Sequence, residues 1–247
     1  MPERQRAKFH RWSAHLVAAD TSAWHKLRAI PAGISFILFL RRLIRSRRTA
    51  PGDDLLSRLI EVQEEGDRLS ADELLAMSFL LLVAGHETTV NLIGNGILAL
   101  LRHPEEMERL RRQPELLEPA IEEMLRYASP LQTATERYAT ADVPLGGAII
   151  PRGALVYVVL ASANRDAEAF PDASRFDVAR QPNRHLAFGH GIHYCLGAPL
   201  ARLEGQIAIQ ALLARFRDIT LAPGATLRWR RGLVLSGVEA LPVRASR

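Results

Sequence analysis

The sequence predicts a fold that is mainly α with a minor β portion. Apolar residues recur at helical spacing through the first half, where proline and glycine separate one segment from the next. After Pro130 the pattern changes to short alternating stretches, which are typical of strands. The 247 residues, 48% of them apolar, are enough to bury a sizeable core. We therefore expect one domain over residues 1–247, helical over 1–130 and mixed strand and loop over 131–247.

The proline and glycine breaks divide the chain into predicted elements. We predict helices over 3–19, 33–48, 53–63, 71–102, 105–112, 116–128 and 198–216. The second helix starts at the break Pro31-Ala-Gly33, and the fourth at Ser70-Ala-Asp-Glu73, whose spacing is that of a capping box. The apolar run after that cap predicts a long buried helix. Strands are predicted over 143–150 and 154–160, and in the alternating tail over 227–243.

Composition excludes several classes of protein. A single cysteine, Cys195, excludes an intramolecular disulfide framework and a cysteine-rich zinc module, and it favours a reducing, cytoplasmic compartment. Met1 opens into a polar, basic stretch, so no secretory signal is predicted. The early apolar run over 34–40 is far shorter than the roughly 20 residues of a membrane span. We therefore expect no membrane-spanning helix there.

The chain has a formal net charge of +5. A cluster of arginines follows the apolar run over 34–40, at positions 41, 42, 45, 47 and 48. A solvated basic helix end explains the cluster, because cations suit a helix carboxyl terminus. A basic helical binder of nucleic acid is the alternative, and it predicts steeply salt-dependent binding. We expect no nucleic-acid partner.

The segment Phe188-Gly-His-Gly-Ile-His-Tyr-Cys-Leu-Gly197 carries the sharpest signal for function. Its three glycines, Gly189, Gly191 and Gly197, permit positive φ and a close approach to a flat ligand. The predicted helix that follows presents backbone N–H groups to the thiol, a setting that favours thiolate. A zinc site made by His185, His190, His193 and Cys195 is an alternative, although the intervals match no common zinc pattern.

This segment resembles the cysteine loop of the cytochrome P450 family of haem-thiolate monooxygenases, Phe-Gly-x-Gly-x-His-x-Cys-x-Gly. All six fixed positions of that pattern are present. The resemblance implies the carboxyl-terminal part of the P450 fold and a haem b cofactor, iron protoporphyrin IX. It assigns Cys195 as the axial ligand of the iron, Phe188 as the residue packed beside the sulfur, and His193 as a contact to a haem propionate.

A second motif, Ala84-Gly-His-Glu-Thr-Thr89, interrupts the apolar run of the long helix. Gly85 and the threonine hydroxyls make a local distortion of the helix plausible. A zinc-protease HExxH motif is excluded because position 90 is valine. The motif is similar to the family's oxygen-binding segment, which implies that Glu87 and Thr88 deliver protons; a Thr-rich packing kink is the alternative.

Charged residues supply the remaining resemblances. Glu123 and Arg126 share one helix face, and the family's buried Glu-x-x-Arg pair implies Arg175 as a third, structural partner. Arg137 lies where the family places a propionate-binding arginine, and a guanidinium suits a carboxylate. The stretch 161–166 is also similar to the family's sequences. We predict a turn there and assign no chemical role to its residues.

The resemblance covers essentially the whole chain, with an amino-terminal third of the family's soluble bacterial members expected to be missing. The implied function is a monooxygenase that inserts one atom of dioxygen into a small apolar organic substrate. No nicotinamide or flavin fingerprint is present, so electrons are expected from a separate ferredoxin or flavin reductase. The alternative is a truncated or split haem-binding or interaction fragment without activity of its own.

Overall fold

Helices account for most of the computed structural model, which describes residues 3–17, 23–64, 69–230 and 232–246. The chain divides into two compact units, Met1–Glu87 and Thr88–Arg247. Within the described residues the α-helices are α1 (Glu3–Val17), α2 (Ala23–Thr49), α3 (Leu55–Glu64), α4 (Ala71–Arg102), α5 (Pro104–Arg112), α6 (Leu117–Tyr127), α7 (Leu160–Ala163) and α8 (Ala198–Arg215). The strands in the same part are β1 (Arg137–Tyr138), β2 (Val143–Leu145), β3 (Ala148–Ile150), β4 (Leu155–Val156), β5 (Asp218–Leu221) and β6 (Val243–Ser246). The predicted class, mainly α with a minor β portion, is confirmed.

An aromatic cluster holds the first unit together. Phe9 of α1 and Phe36 of α2 have ring centres 5.5 Å apart, and Phe36 lies 5.1 Å from Phe79 of α4. Phe9, Phe36 and Leu40 are buried. Burying each of these side chains contributes roughly 2 kcal/mol. The cluster therefore packs α1 and α2 against the amino-terminal half of α4.

Helix α2 corrects the predicted break at Pro31. The helix runs without interruption from Ala23 to Thr49, with Pro31 inside it. Buried positions recur at Ala29, Ala32 and Phe36, a helical spacing that continues across the proline. Pro31 itself is exposed, so its ring is not forced into the core, and its cost is the lost backbone hydrogen bond and the crowding of the carbonyl four residues earlier. The packing of the buried stripe outweighs that local cost.

Residues 18 and 19, at the end of the first predicted helix, lie outside the described residues.

Helix α4 begins and ends where the sequence predicts. The Ser70 backbone N–H donates to the Glu73 carboxylate at 2.7 Å, and the Glu73 N–H donates to the Ser70 hydroxyl at 3.2 Å, so the capping box is formed. The Ser70 N–H also holds the pKa of Glu73 below its ordinary value. The expectation of a buried helix is correct in part: Leu92 to Leu100 are largely buried, whereas the first two-thirds of the helix bury one face, with Leu74 buried and Leu80 and Val90 exposed. Within the described residues, α4 is also the one helix whose length and apolar composition would permit a membrane crossing, a test that core helices of soluble proteins also pass.

The core of the second unit forms where the end of α4, α6 and α8 meet the loop before the cysteine segment. Its buried members include Leu92, Ile121, Met124, Phe176 and Ile209. Gly96 permits the close approach of α4 and α6, because a Cβ there would lie 2.6 Å from the Met124 sulfur. At Gly205, near the middle of α8, a Cβ would lie 3.4 Å from Ile121 and Leu92, so this part of α8 packs against α6 and α4.

The β portion consists of two-stranded antiparallel sheets that pair β1 with β4, β2 with β3 and β5 with β6. The predicted stretch 143–150 is the hairpin β2–β3. Its turn residues, Gly146 and Gly147, have φ of 57° and 81°, the left-handed pair that a two-residue hairpin turn requires. The hairpin is thus encoded locally.

Two other predicted strands are shorter than expected. The stretch 154–160 contributes only β4, and Leu160 begins the one-turn helix α7, so the turn predicted over 161–166 is confined to residues 164 and 165. In the tail over 227–243, the described residues form isolated bridges, Leu131 with Leu235 and Trp229 with Val238, before β6 begins. Residue 231 lies outside the described residues. A segment with an alternating sequence pattern does not form a continuous ladder of backbone hydrogen bonds unless another strand lies beside it.

The continuity of α2 makes a prediction about Pro31. We expect Pro31→Ala to raise the free energy of unfolding by about 1–2 kcal/mol, because an interior proline costs about 3 kcal/mol relative to alanine and the more flexible unfolded chain offsets part of the gain. Urea unfolding followed by circular dichroism measures the change. Pro51→Ala is the matched control, since Pro51 is also exposed but lies beyond the end of α2, and it should not stabilise. Equal effects of the two substitutions would contradict a helix through Pro31.

Candidate functional site

The segment from Phe188 to Gly197 forms a closed loop that leads into α8. The Cys195 N–H donates to the Phe188 carbonyl at 2.9 Å, and the Gly189 N–H donates to the Leu186 carbonyl at 2.9 Å. Gly189 and Gly191 have φ of 73° and 72°, so positive φ is confirmed at both. The same expectation is wrong for Gly197, whose φ is −84°. Gly197 lies beside the thiol, since a Cβ there would make an ordinary contact of 3.9 Å with the Cys195 sulfur.

The thiol of Cys195 lies beside the amino terminus of α8. Cys195 is half-buried, and its carbonyl accepts the Ala198 N–H at 3.2 Å, the first contact of the helix. Leu196 is 82% exposed and Ile192 is 98% exposed. These exposed apolar residues come shortly before and directly after Cys195 in the sequence. Exposed apolar side chains of this kind are expected where an apolar ligand or partner covers them. A soft sulfur donor, a glycine-lined backbone and this apolar rim fit a flat haem group.

Phe188 is fixed between the core and a cation. It packs against the core of the second unit, and the Arg202 guanidinium of α8 lies 4.6 Å from its ring centre. Arg202 in turn binds Glu122 of α6 through two hydrogen bonds, of 2.7 and 2.9 Å. His185 contacts the same carboxylate at 3.1 Å. The sequence indicated Phe188 but gave no sign of Arg202 or Glu122, which lie 80 residues apart.

The Glu122 carboxylate is the most strongly perturbed acid of this network. Burial on its own raises the pKa of Glu122, but hydrogen bonds from His185 and Arg202, together with the Arg202 charge, outweigh it and lower the pKa from 4.5 to about 2. The contact with Glu122 also raises the pKa of Arg202. Both groups are therefore charged at neutral pH and bind as an ion pair.

A buried ion network lies behind the loop, and it corrects the predicted third partner. Glu123 and Arg126 have side chains that are 0% exposed, and they are joined by hydrogen bonds of 2.7 and 2.8 Å. Arg180, rather than Arg175, donates its Nε to Glu123, at 3.2 Å. The Arg175 side chain is 62% exposed, and this residue joins the network through its backbone carbonyl, which accepts from Arg126 and from Arg180. Two arginines five positions apart in one loop are indistinguishable by pattern, and only the course of the loop decides between them.

Asn164 was missed by the sequence analysis. It follows α7 and is fully buried. Its carbonyl accepts from Arg126 at 2.9 Å, and its side-chain oxygen accepts the Leu186 N–H at 2.7 Å. Asn164 therefore connects the ion network to the residue two positions before Phe188. No periodic pattern marks such a residue, since its partners are backbone groups distant in sequence.

The acid and alcohol of α4 fall on the two sides of the unit boundary. In the first unit, Glu87 is buried, and its Oε1 accepts a hydrogen bond of 2.6 Å from the Ser13 hydroxyl of α1. In the second unit, Thr88 is half-buried. The helix continues unbroken through Ala84–Thr89, so the expected local distortion is not observed. A Cβ on Gly85 would meet no atom within 4 Å, which leaves open space at that position. Ser13 was missed, although its place one turn from Phe9 puts a polar residue on the apolar face of α1.

The two predicted propionate contacts are both exposed. His193 ends a short 3-10 turn, Gly191–His193, and Arg137 lies on β1. The Arg137 guanidinium donates to the Thr135 carbonyl and hydroxyl and to the Glu136 carbonyl. Their roles remain predictions. The zinc alternative gains no support, because no group of three metal-binding side chains gathers anywhere in the described part of the chain, which includes all four candidates.

The corrected ion network predicts unequal effects for the two loop arginines. Arg180→Ala should lower the free energy of unfolding by about 3 kcal/mol, because it removes one cation from a buried carboxylate. Arg175→Ala is the control, and it should change stability by less than about 0.5 kcal/mol, since that side chain is exposed. Urea unfolding of both variants measures the difference. A larger loss for Arg175→Ala would restore the original assignment.

The lowered pKa of Glu122 predicts a pH dependence of stability. The carboxyl binds a proton in the unfolded chain below pH 4.5 but in the folded chain only near pH 2, so its contribution is complete above 4.5 and falls as the pH approaches 2. Stability should therefore fall less steeply over this window in Glu122→Gln than in the wild type. Urea titrations at several pH values give the slopes. Glu118→Gln changes an exposed acid of the same helix and should leave the slope unaltered; a matching slope in Glu122→Gln and wild type would contradict the assignment.

The comparisons with known proteins agree with this geometry. The family model for cytochrome P450 matches residues 21–226. Cytochrome P450 107B1 of Saccharopolyspora erythraea is 54% identical over 214 residues, which are 86% of this chain and 53% of that protein. The polyketide biosynthesis cytochrome P450 PksS of Bacillus subtilis is 46% identical over 248 residues, covering 100% of this chain and 61% of the relative.

A solved structure gives the same result. The crystal structure of CYP109E1 from Bacillus megaterium in complex with testosterone matches with a TM-score of 0.94 and 38% identity, over 100% of this chain and 66% of that one. The chain thus spans 53% and 61% of the length of the two curated relatives. Because the family model covers most of the chain and the fold matches throughout, the chain belongs to the cytochrome P450 family.

Proposed function

We propose that this chain carries the haem-ligand region of a monooxygenase that inserts one atom of dioxygen into an apolar organic substrate. The observation that carries the proposal is the half-buried thiol of Cys195, held at the start of α8 by the closed, glycine-lined loop. Membership of the P450 family supports the same assignment. The cofactor we propose is haem b.

The residues that would hold the haem are those of the loop and its surroundings. Cys195 is the proposed ligand of the iron, and Phe188 is the proposed neighbour of its sulfur. Gly189, Gly191 and Gly197 keep side chains away from the haem face, while His193 and Arg137 are the proposed donors to its propionates. When bound, the haem would supply an iron centre, and a thiolate ligand from Cys195 would donate electron density that favours cleavage of the O–O bond.

Proton delivery is the proposed role of Glu87 and Thr88. A carboxyl and a hydroxyl are both suited to general acid catalysis. The Ser13 hydroxyl of α1 donates a hydrogen bond of 2.6 Å to one carboxylate oxygen of Glu87, so the Glu87 side chain is oriented toward α1. Thr88 follows directly on the same helix and is half-buried.

The relatives favour a carbon-rich substrate. The Bacillus subtilis relative is named for polyketide biosynthesis, and the Bacillus megaterium structure holds testosterone. We therefore propose that the substrate of the present chain is also an apolar, carbon-rich organic molecule. Dioxygen and electrons from a separate ferredoxin or flavin reductase complete the proposed reaction, in the cytoplasm. A single cysteine supports that compartment.

Absorption spectroscopy tests the proposed ligand. We expect the chain supplied with haem b, reduced and exposed to carbon monoxide, to show a red-shifted, thiolate-type band. Cys195→Ser should lose that band, because a hydroxyl is a poor axial donor. Arg137→Gln is the control, since a propionate contact alters haem retention and not the identity of the ligand.

Two outcomes decide between the alternatives. A band that persists unchanged in Cys195→Ser would remove the assignment of the thiol. A band that is present without reductase-dependent substrate oxidation would favour a haem-binding fragment without activity of its own.

A further inference from the structure

Two histidines of the first unit lie against each other outside the proposed haem site. The Nδ1 of His10 in α1 and the Nε2 of His86 in α4 are 2.9 Å apart, at an exposed position. Their ring centres are 4.5 Å apart, with the ring planes inclined by 60°. Neither histidine has a role in the proposed reaction, and none of the comparisons points to them.

The two distances match the geometry of a shared metal ion. At a metal–nitrogen distance of roughly 2 Å and an angle of about 90°, two ligating nitrogens lie about 2.9 Å apart. The ring centres then lie about 4.5 Å apart, because each is set about 1.1 Å behind its nitrogen along the bond to the ion. A straight hydrogen bond of the same length would hold the centres at about 5.1 Å. The ring centres are therefore closer than a straight hydrogen bond would place them, at the separation expected for two imidazoles that bind one ion.

The surroundings of the pair hold this arrangement in place. Phe9, which is buried, has its ring centre 5.2 Å from that of His86 and 6.0 Å from that of His10. One helical turn beyond His10, the Ser13 hydroxyl binds Glu87, the residue next to His86. Both histidines thus stand on helices that are already joined by packing and by a buried hydrogen bond. Ligands on rigid elements lose little conformational freedom when they bind an ion.

We propose that His10 and His86 form a two-imidazole site for a divalent transition-metal ion of the Ni²⁺ or Cu²⁺ type. Imidazole nitrogen suits these ions, and an angle near 90° belongs to their tetragonal geometry. No third protein ligand joins the pair among the described residues, so water fills the remaining positions. For both facing nitrogens to bind the ion, the ring that donates in the hydrogen bond takes the opposite tautomer and carries its proton on its other nitrogen. The bound ion then links α1 to the turn of α4 that carries Glu87.

Calorimetric titration with Ni²⁺ tests the site, on the full chain without an affinity tag and after treatment with a chelator. We expect one Ni²⁺ ion bound per chain. His10→Gln and His86→Gln should each weaken its binding at least tenfold, because either change leaves a single imidazole. His15→Gln is the matched control, since it removes a histidine from the same helix α1 that is not part of the pair.

The variants also separate ion binding from folding. Circular dichroism in the chelator should show the same helix content for His10→Gln as for the wild type, because His10 is exposed. If His86→Gln loses helix content, His10→Gln alone decides the result. Binding of Ni²⁺ by folded His10→Gln with the affinity of the wild type would overturn the proposal, as would a loss of binding confined to His15→Gln.

Discussion

The ion pair between Glu123 and Arg126 is the contact on which the arrangement of the cysteine loop depends. Both side chains are 0% exposed, so neither is solvated by bulk water. An isolated charge at such a position would be strongly destabilising. The structure avoids that cost by meeting each charge with a complete set of partners. Those partners belong to the segment before the cysteine loop, and satisfying the charges therefore fixes the path of that segment.

The neighbouring glutamates of α6 hold opposite ends of the same loop. Glu123 binds the segment that enters it, through Arg180, the Asp177 N–H and the Asn183 amide. Glu122 binds His185 and also Arg202, which lies on the helix that leaves the loop. Consecutive residues on a helix point about 100° apart, so one turn of α6 reaches both segments. The half-buried thiol is thereby held between two anchored ends, while the glycines keep the chain between them free of side-chain obstruction.

The sequence predicted the features that are encoded locally. The capping box at Ser70, the hairpin over 143–150 and the positive φ at Gly189 and Gly191 each depend on residues a few positions apart, and each is present in the structure. Tertiary partners were harder to predict. Arg180 meets Glu123 across 57 positions of the chain, and nothing in the local pattern distinguishes Arg180 from Arg175. At Pro31 the local rule was misleading, because the packing of a continuous buried stripe outweighs the preference of one residue.

The buried ion network also explains why an apolar substitute would not serve at this position. In some proteins a buried ion pair is replaced by well-packed hydrophobic residues without loss of stability. Here Arg126 uses all five of its N–H donors: two bind Glu123, and three bind the carbonyls of residues 164, 173 and 175. Replacing both side chains by apolar groups would leave the carbonyl of residue 164 without a donor and the carbonyl of residue 173 with only a 3.5 Å contact from Arg165, whereas the carbonyl of residue 175 would keep its hydrogen bond from Arg180. Backbone groups cannot be removed by substitution, and an orphaned carbonyl would cost about 1–3 kcal/mol. The guanidinium is therefore required by the backbone path of the loop as much as by the charge of its partner.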